Sequence, residues 1–193
     1  IEKNKILANY WESCRPSVME GFKIFKNIFN HGKAEYIYNC AYNANYKIGW
    51  NDSVDLHAKQ YPCLHAPLVE KDVHNLDILP NIHALGLQSQ FEPCFKKMNI
   101  TKAVINLTKP GDVHFIHSHR DTLVVLYYIN LNWKDEFGGE TIFYSNDMDI
   151  IYTSKYEPRK LIIFDGEIPH CIKPQSILGP QYRFTLSLFL KKT

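Results

Sequence analysis

The period of apolar and polar positions changes near residue 100. Residues 16–30 (PSVMEGFKIFKNIFN) place Val18, Phe22, Phe25, Ile28 and Phe29 on one helical stripe, with Gly32 as a stop signal. That pattern predicts a helix whose apolar stripe is packing surface. Residues 35–67 are rich in Tyr, Asn and Trp, with turn signals at Gly49 and Asn51-Asp52, and read as short strands and loops. Residues 76–99 return to helical spacing at Leu79, Ile82 and Leu85. Ser89 with Glu92 forms a capping-box pattern that would start a second helix there.

From Thr101 onward the texture is β. AVINLT, HFIHSH, TLVVLYYINL, ETIFY, DIIYTS, KLIIF and RFTLSLFL are short β-branched or aromatic runs punctuated by Gly, Pro or Asp. The last run has two unlike faces. Arg183, Thr185, Ser187 and Phe189 share one side, and Phe184, Leu186, Leu188 and Leu190 share the other. One face should pack under helices while the other lines an interior. An arginine on an interior face needs an anion. The expected architecture is mainly β with supporting N-terminal helices, a double-stranded β-helix or jelly-roll of the cupin-like kind. We expect a single domain over residues 1–193, with helical support and cleft segments in 1–100 and the jelly-roll core in 101–193.

Composition narrows the function classes. Lys and Arg exceed Asp and Glu by two, 22 against 20, with no basic block longer than a pair, so neither nucleic acid nor a membrane surface is expected as a partner. No apolar run approaches the ~18 residues of a membrane-spanning helix. Five widely spaced cysteines without a CxxC read as free thiols of a reducing compartment. The opening IEKNKILANYWESC lacks a signal-peptide core, and a cytoplasmic location is the expectation.

The segment GDVHFIHSHRDT holds three histidines and an aspartate within eight residues. Strand alternation would put His117, His119 and Asp121 on one face and His114 on the other. A His-x-Asp pair with a histidine from another strand makes a facial triad suited to non-haem Fe(II). Such a pair is common by chance, so its weight comes from context. FDGEIPHC places His170 on a turn after an apolar strand, and Arg183 follows thirteen residues later. His117, one pair too early, reads as pocket lining rather than a ligand, and Tyr127 as core. Gly138-Gly139 reads as a turn. His31, His57, His65, His74 and His83 show no ligand spacing, and Tyr46 and Trp50 line a groove or pack.

His119-x-Asp121, LYYINLNW, FGGETIF, FDGEIPH and the arginine of RFTLSLF stand in an order that resembles the Fe(II)/2-oxoglutarate-dependent oxygenases, prolyl 4-hydroxylase-like branch. The resemblance spans residues 103–190. It implies His119, Asp121 and His170 as iron ligands and Arg183 and Tyr128 as partners of the C5 carboxylate of 2-oxoglutarate, with Thr185 a third contact. Two departures stand out. The gap from His170 to Arg183 is longer than the usual one, and Asn106 stands where many relatives have a tyrosine near the C1 carboxylate.

What the resemblance implies is a dioxygenase that hydroxylates a C–H bond while 2-oxoglutarate and O2 become succinate and CO2, with ascorbate as an accessory reductant. A prolyl residue in a peptide or protein is the first substrate reading, and a free amino acid or small metabolite the alternative. Asp121 argues against halogenation, since halogenases lack that carboxylate. Nucleic-acid demethylation is disfavoured by the GGET run and by the lack of a second arginine after Arg183. Two readings of another class remain. A cupin-like metal protein would use His117 and His119 with a glutamate four or five residues on, where Leu123 and Val124 stand. A non-catalytic binding module would have lost a ligand or the arginine.

Overall fold

The computed structural model describes residues 21–52 and 58–192. Among the described residues ten strands and four α-helices follow one another: β1 (Phe22–Phe25), α1 (His31–Tyr42), β2 (Lys47–Trp50), β3 (Cys63–Pro67), α2 (Glu70–Asn75), α3 (Leu79–Leu87), α4 (Glu92–Lys97), β4 (Ile100–Thr108), β5 (Thr122–Tyr128), β6 (Thr141–Tyr144), β7 (Ile150–Ser154), β8 (Leu161–Asp165), β9 (His170–Ile172) and β10 (Arg183–Lys191). They form two antiparallel sheets: a seven-stranded one ordered β1-β8-β5-β10-β4-β3-β2 and a three-stranded one ordered β7-β6-β9. This is the jelly-roll with helical support that the sequence led us to expect.

Alternation on the central strands divides the core. Leu186, Leu188, Leu190, Val125 and Tyr127 pack with Ile37, Ile82 and Phe95 of the helices. Val124, Leu126, Tyr128, Phe164 and Phe189 pack on the opposite face, with Phe143 of the small sheet. Strands buried on both faces carry near-continuous apolar runs, which is why TLVVLYY and KLIIF were legible as strands. Fully burying one such side chain contributes about 1.5–3 kcal/mol.

Three local expectations are corrected. Residues 16–20 of the expected first helix lie outside the described residues, but Phe22–Phe25 is a strand paired antiparallel with β8, Phe22 opposite Phe164. The free edge of β8 decides the matter, because FKIF alternates well enough to put Phe22 into the sheet-to-sheet core and Phe25 on the helix side. The helix starts at His31 instead, with Asn30 as its cap: Asn30 Oδ1 accepts the Lys33 N–H at 2.9 Å. Gly32, expected to stop a helix, sits in the first turn of this one, and α1 occupies ground expected to hold strands and loops. Its buried stripe is only Ala34, Ile37 and Ala41, a weak signal among Tyr and Asn. Finally, HFIHSH is not a strand; only His117 makes a bridge there.

The expected helix around residues 79–87 is present as α3, and α4 follows from Glu92. Ser89 lies just before α4, but its hydroxyl donates to Gly86 O and accepts from Phe91 N, so no capping box forms with Glu92. Among the described residues Cys40, Cys63, Cys94 and Cys171 are free thiols, and no helix is long and apolar enough to cross a membrane. Cys14 lies outside the described residues.

Candidate metal centre

The space between the two sheets opens into a cavity lined by His117, His119, His170, Arg183, Thr185 and Asn106, among others. Its histidines come from two segments that the backbone ties together. His117 N–H donates to His170 O at 3.0 Å, and His170 N–H donates to His117 O at 2.9 Å. His119 is fixed separately, donating its N–H to Gly166 O at 2.6 Å. A Cβ on Gly166 would come within 2.7 Å of His119 O and Thr122 O, so only glycine lets β8's end approach this closely.

The three imidazoles converge. One nitrogen from each of His117, His119 and His170 lies within 4.8 Å of the others. His117 Nδ1 lies 2.9 Å from Phe115 O and His170 Nδ1 lies 2.8 Å from Ile168 O. Carbonyls can only accept, so both Nδ1 atoms carry the proton and both Nε2 lone pairs are left free. Burial, and then the neighbouring His117 and Lys102, bring His119 down to about 4. Burial, with His117 beside it, holds His170 well below the ordinary imidazole value. Phe189 packs its edge on His119 and Phe164 on His170, ring centroids 4.9 Å apart in each pair. The donor set is three imidazoles in a mostly apolar wall, which fits a borderline divalent ion such as Fe(II).

Asp121 is not brought to this group. It is exposed, at φ 53° in a left-handed turn, where its carbonyl accepts the Lys192 N–H at 3.1 Å. The parity argument that paired it with His119 needs a regular strand, and residues 113–121 are irregular. His117, set aside as pocket lining, stands instead beside His119 and His170. The His117-Ser-His119 spacing, the one the cupin-like alternative uses, is its signal in the sequence.

Across the cavity Arg183 is 1% exposed. Its Nε donates to Gly139 O at 3.0 Å, while neither terminal nitrogen has a partner. Gly139 sits at φ 76°, and a Cβ there would lie 3.1 Å from Arg183 Cδ, so this glycine admits the arginine. Trp133 Nε1 braces the turn by donating to Gly138 O. The guanidinium carbon lies 4.8 Å from the Tyr156 ring centroid and 5.7 Å from that of Tyr128. Burial pushes the pKa of Arg183 down against the opposing pull of Tyr156, Tyr128 and Glu140, and among the described residues no carboxylate forms an ion pair with it. An arginine buried with an idle fork is built for a planar anion.

Tyr128, Thr185 and Asn106 fall on a single rung across β5, β10 and β4. Thr185 and Asn106 line the cavity. Asn106 Nδ2 donates to Ser187 Oγ at 3.3 Å and its Oδ1 has no partner. The Tyr128 hydroxyl instead bonds Thr141 Oγ1 at 2.9 Å and Ser154 Oγ at 3.1 Å, so Thr141 is the cavity wall at that point. The long segment between His170 and Arg183 is anchored by Gln175, which bonds Thr108 Oγ1 and Pro180 O. Trp50 reaches the cavity, whereas Tyr46 donates to Ala41 O and packs on Phe184 on the helix side. His114, expected to face away, also lines the cavity.

No family model matches the chain and no curated protein matches it. Solved structures do. A prolyl-4-hydroxylase of Pseudomonas putida superposes with a TM-score of 0.64 at 14% identity, over 90% of this chain and 94% of that one. A prolyl hydroxylase of Trichoplax adhaerens, in complex with a hypoxia inducible factor peptide fragment, gives 0.58 at 18% identity over 99% and 91%. A non-haem alpha-ketoglutarate-dependent epimerase from nogalamycin biosynthesis gives 0.64 at 11% over 90% and 79%. At these identities the likeness is one of fold.

Proposed function

We propose that the chain is an Fe(II)- and 2-oxoglutarate-dependent dioxygenase of the prolyl 4-hydroxylase-like kind, with His117, His119 and His170 as the metal ligands. The observation that carries the reading is the pairing of two features in one cavity: three converging imidazoles and a buried arginine whose two terminal nitrogens have no partner. When bound, iron with 2-oxoglutarate and O2 supplies oxidation of a C–H bond coupled to loss of CO2 and formation of succinate.

The protein's part is orientation. Arg183 holds the C5 carboxylate by a two-point hydrogen bond, and Thr185 adds a hydroxyl from the same face of β10. Tyr128 acts through Thr141, whose hydroxyl it holds. Asn106, with Oδ1 idle, is positioned for the C1 end or for substrate. Phe164 and Phe189 exclude water beside the histidines.

His117 in place of a carboxylate changes the charge. Three neutral imidazoles leave the ion's full double charge to be balanced by the dianionic co-substrate, so metal and 2-oxoglutarate should bind with strong mutual dependence. The argument against halogenation loses its basis in Asp121 and passes to His117, which would hold the ion in the carboxylate's stead. The neighbours with prolyl hydroxylase names support a prolyl residue in a peptide as substrate, and the epimerase neighbour marks a small molecule as the second reading.

The test is anaerobic addition of Fe(II) and then 2-oxoglutarate, following the weak visible charge-transfer absorption of the chelate. We expect a band in the unaltered protein and in Asp121→Ala, none in His119→Ala or His117→Ala, and a much higher 2-oxoglutarate requirement in Arg183→Ala. No band in the unaltered protein with iron bound would overturn the reading. A band lost in Asp121→Ala and kept in His117→Ala would overturn the ligand set.

A further inference from the structure

Beside the three histidines a second group of donor atoms converges. Asp52, two residues past β2, Cys63, the first residue of β3, and His114, on the irregular approach to β5, each offer an atom within 4.8 Å of the others. His114 Nδ1 lies 3.4 Å from Asp52 Oδ2 and 3.8 Å from Cys63 Sγ. All three residues line the same cavity as His117, His119 and His170. The side chains of His114 and Asp52 are only 3% and 8% exposed, and Cys63 is 8% exposed.

Those distances make only long, weak hydrogen bonds. One ring nitrogen faces a carboxylate oxygen and a sulfur at once, and 3.4 Å is longer than the roughly 2.7–3.2 Å of a formed N–H···O bond. They do suit ligands around a common ion. Zinc bonds of about 2.0–2.2 Å to nitrogen and oxygen and 2.3 Å to sulfur, at tetrahedral angles, put N and O about 3.4 Å apart and N and S about 3.6 Å apart. The carboxylate is already oriented, since Asp52 Oδ2 accepts the Phe115 N–H at 3.0 Å.

We infer that Asp52, Cys63 and His114 form a second metal site, for a thiophilic divalent ion of the zinc class, on the wall of the cavity that holds the three-histidine centre. Three protein ligands leave the fourth position to water or to a lone pair of the substrate, the open arrangement of zinc sites that act on a ligand. Binding converts the Cys63 thiol to a metal thiolate and releases its proton to solvent, with no change of oxidation state. Burial and the Asp52 carboxylate push the metal-free thiol up to about 12, so that proton is otherwise held firmly. The ion also clamps β3 to the segment leading to His117, so its occupancy bears on the neighbouring centre.

The test uses Co(II) as probe, because thiolate-to-cobalt charge transfer in the near ultraviolet reports sulfur ligation and the three-histidine centre has no sulfur. The whole chain should take up two equivalents of Co(II) and develop that band. His119→Ala should keep it, and Cys63→Ser should lose it together with one equivalent. A second measurement needs no variant: saturating Zn(II) should slow alkylation of Cys63, read by peptide mapping, by about tenfold or more. One equivalent of cobalt without a thiolate band, or a band that persists in Cys63→Ser, overturns the inference, as does an unprotected Cys63. The outcome is separate from the oxygenase reading, which fails only on the iron and 2-oxoglutarate absorption.

Discussion

His117 and His170 hold each other's backbones by two reciprocal hydrogen bonds, 3.0 and 2.9 Å long, and their rings lie 4.5 Å apart. A residue on an otherwise irregular segment is thereby locked to the edge of the small sheet. The same bridge that fixes His117 orients two of the three imidazoles.

Replacing His117 by Ala should therefore lower affinity for Fe(II) by at least about 100-fold, more than loss of a supporting contact would cost. Asp121→Ala should stay within a few-fold of the unaltered protein. Competition with a fluorescent divalent-metal chelator distinguishes them, and a reversed order of effects would contradict the three-histidine set.

Gly166 supports His119 by its carbonyl and by lacking a side chain. Gly166→Ala should cost about 1–3 kcal/mol of stability, as overpacking does, and should weaken metal binding through His119. Denaturant melts with and without Co(II) check it: metal should stabilise the variant much less than the unaltered protein.

Arg183 is a buried cation with two unpartnered nitrogens, which is a cost to the fold in the absence of an anion. Arg183→Met should raise stability by about 1–3 kcal/mol, or a few degrees of Tm per kcal/mol in a chain this size. It should also abolish the Tm increase that 2-oxoglutarate gives the unaltered protein. A destabilised variant would mean that the guanidinium's contacts with Gly139, Tyr128 and Tyr156 outweigh its desolvation.

Lys160 supplies a pH signature away from the cavity. Its side chain is 4% exposed, near Glu157 and the Lys155 carbonyl, and burial first of all lowers it to about 8. Between about 8 and the ordinary lysine value of 10.4 the unfolded chain binds a proton that the folded chain does not, so this group makes stability rise with pH across that window. Below about 8 both states are charged and the burial cost, up to about 3 kcal/mol, is present in full. Lys160→Met should be the more stable protein at pH 7 and should lose its advantage by pH 10.5. A constant difference across that range would count against the assignment.

Much of the fold was legible because strands buried on both faces cannot hide their pattern. The two faces of RFTLSLFL predicted a helix-covered side and a polar interior, and Leu186 and Thr185 lie on those sides as expected. His170 and Arg183 reached one cavity because each begins a strand whose register the apolar residues fix, and His119 because its N–H is tied to Gly166 just past β8. The weakly patterned regions were not legible. FKIF reads equally as part of an amphipathic helix until the free edge of β8 is available, and HGKAEYIYNCAY buries too few residues to announce a helix.

By itself the sequence determined that the second half is a β structure with a polar interior, and that Arg183 belongs to that interior, because period-two alternation is a local property. Only the tertiary structure decided that His117 rather than Asp121 joins His119 and His170. Residues 113–121 take their backbone from the bridge to His170 and from a left-handed turn at Asp121, not from a strand's alternation. It likewise brought Cys63 to His114 across 51 residues of chain, a juxtaposition no local pattern encodes, since it exists only once β3 pairs with β4.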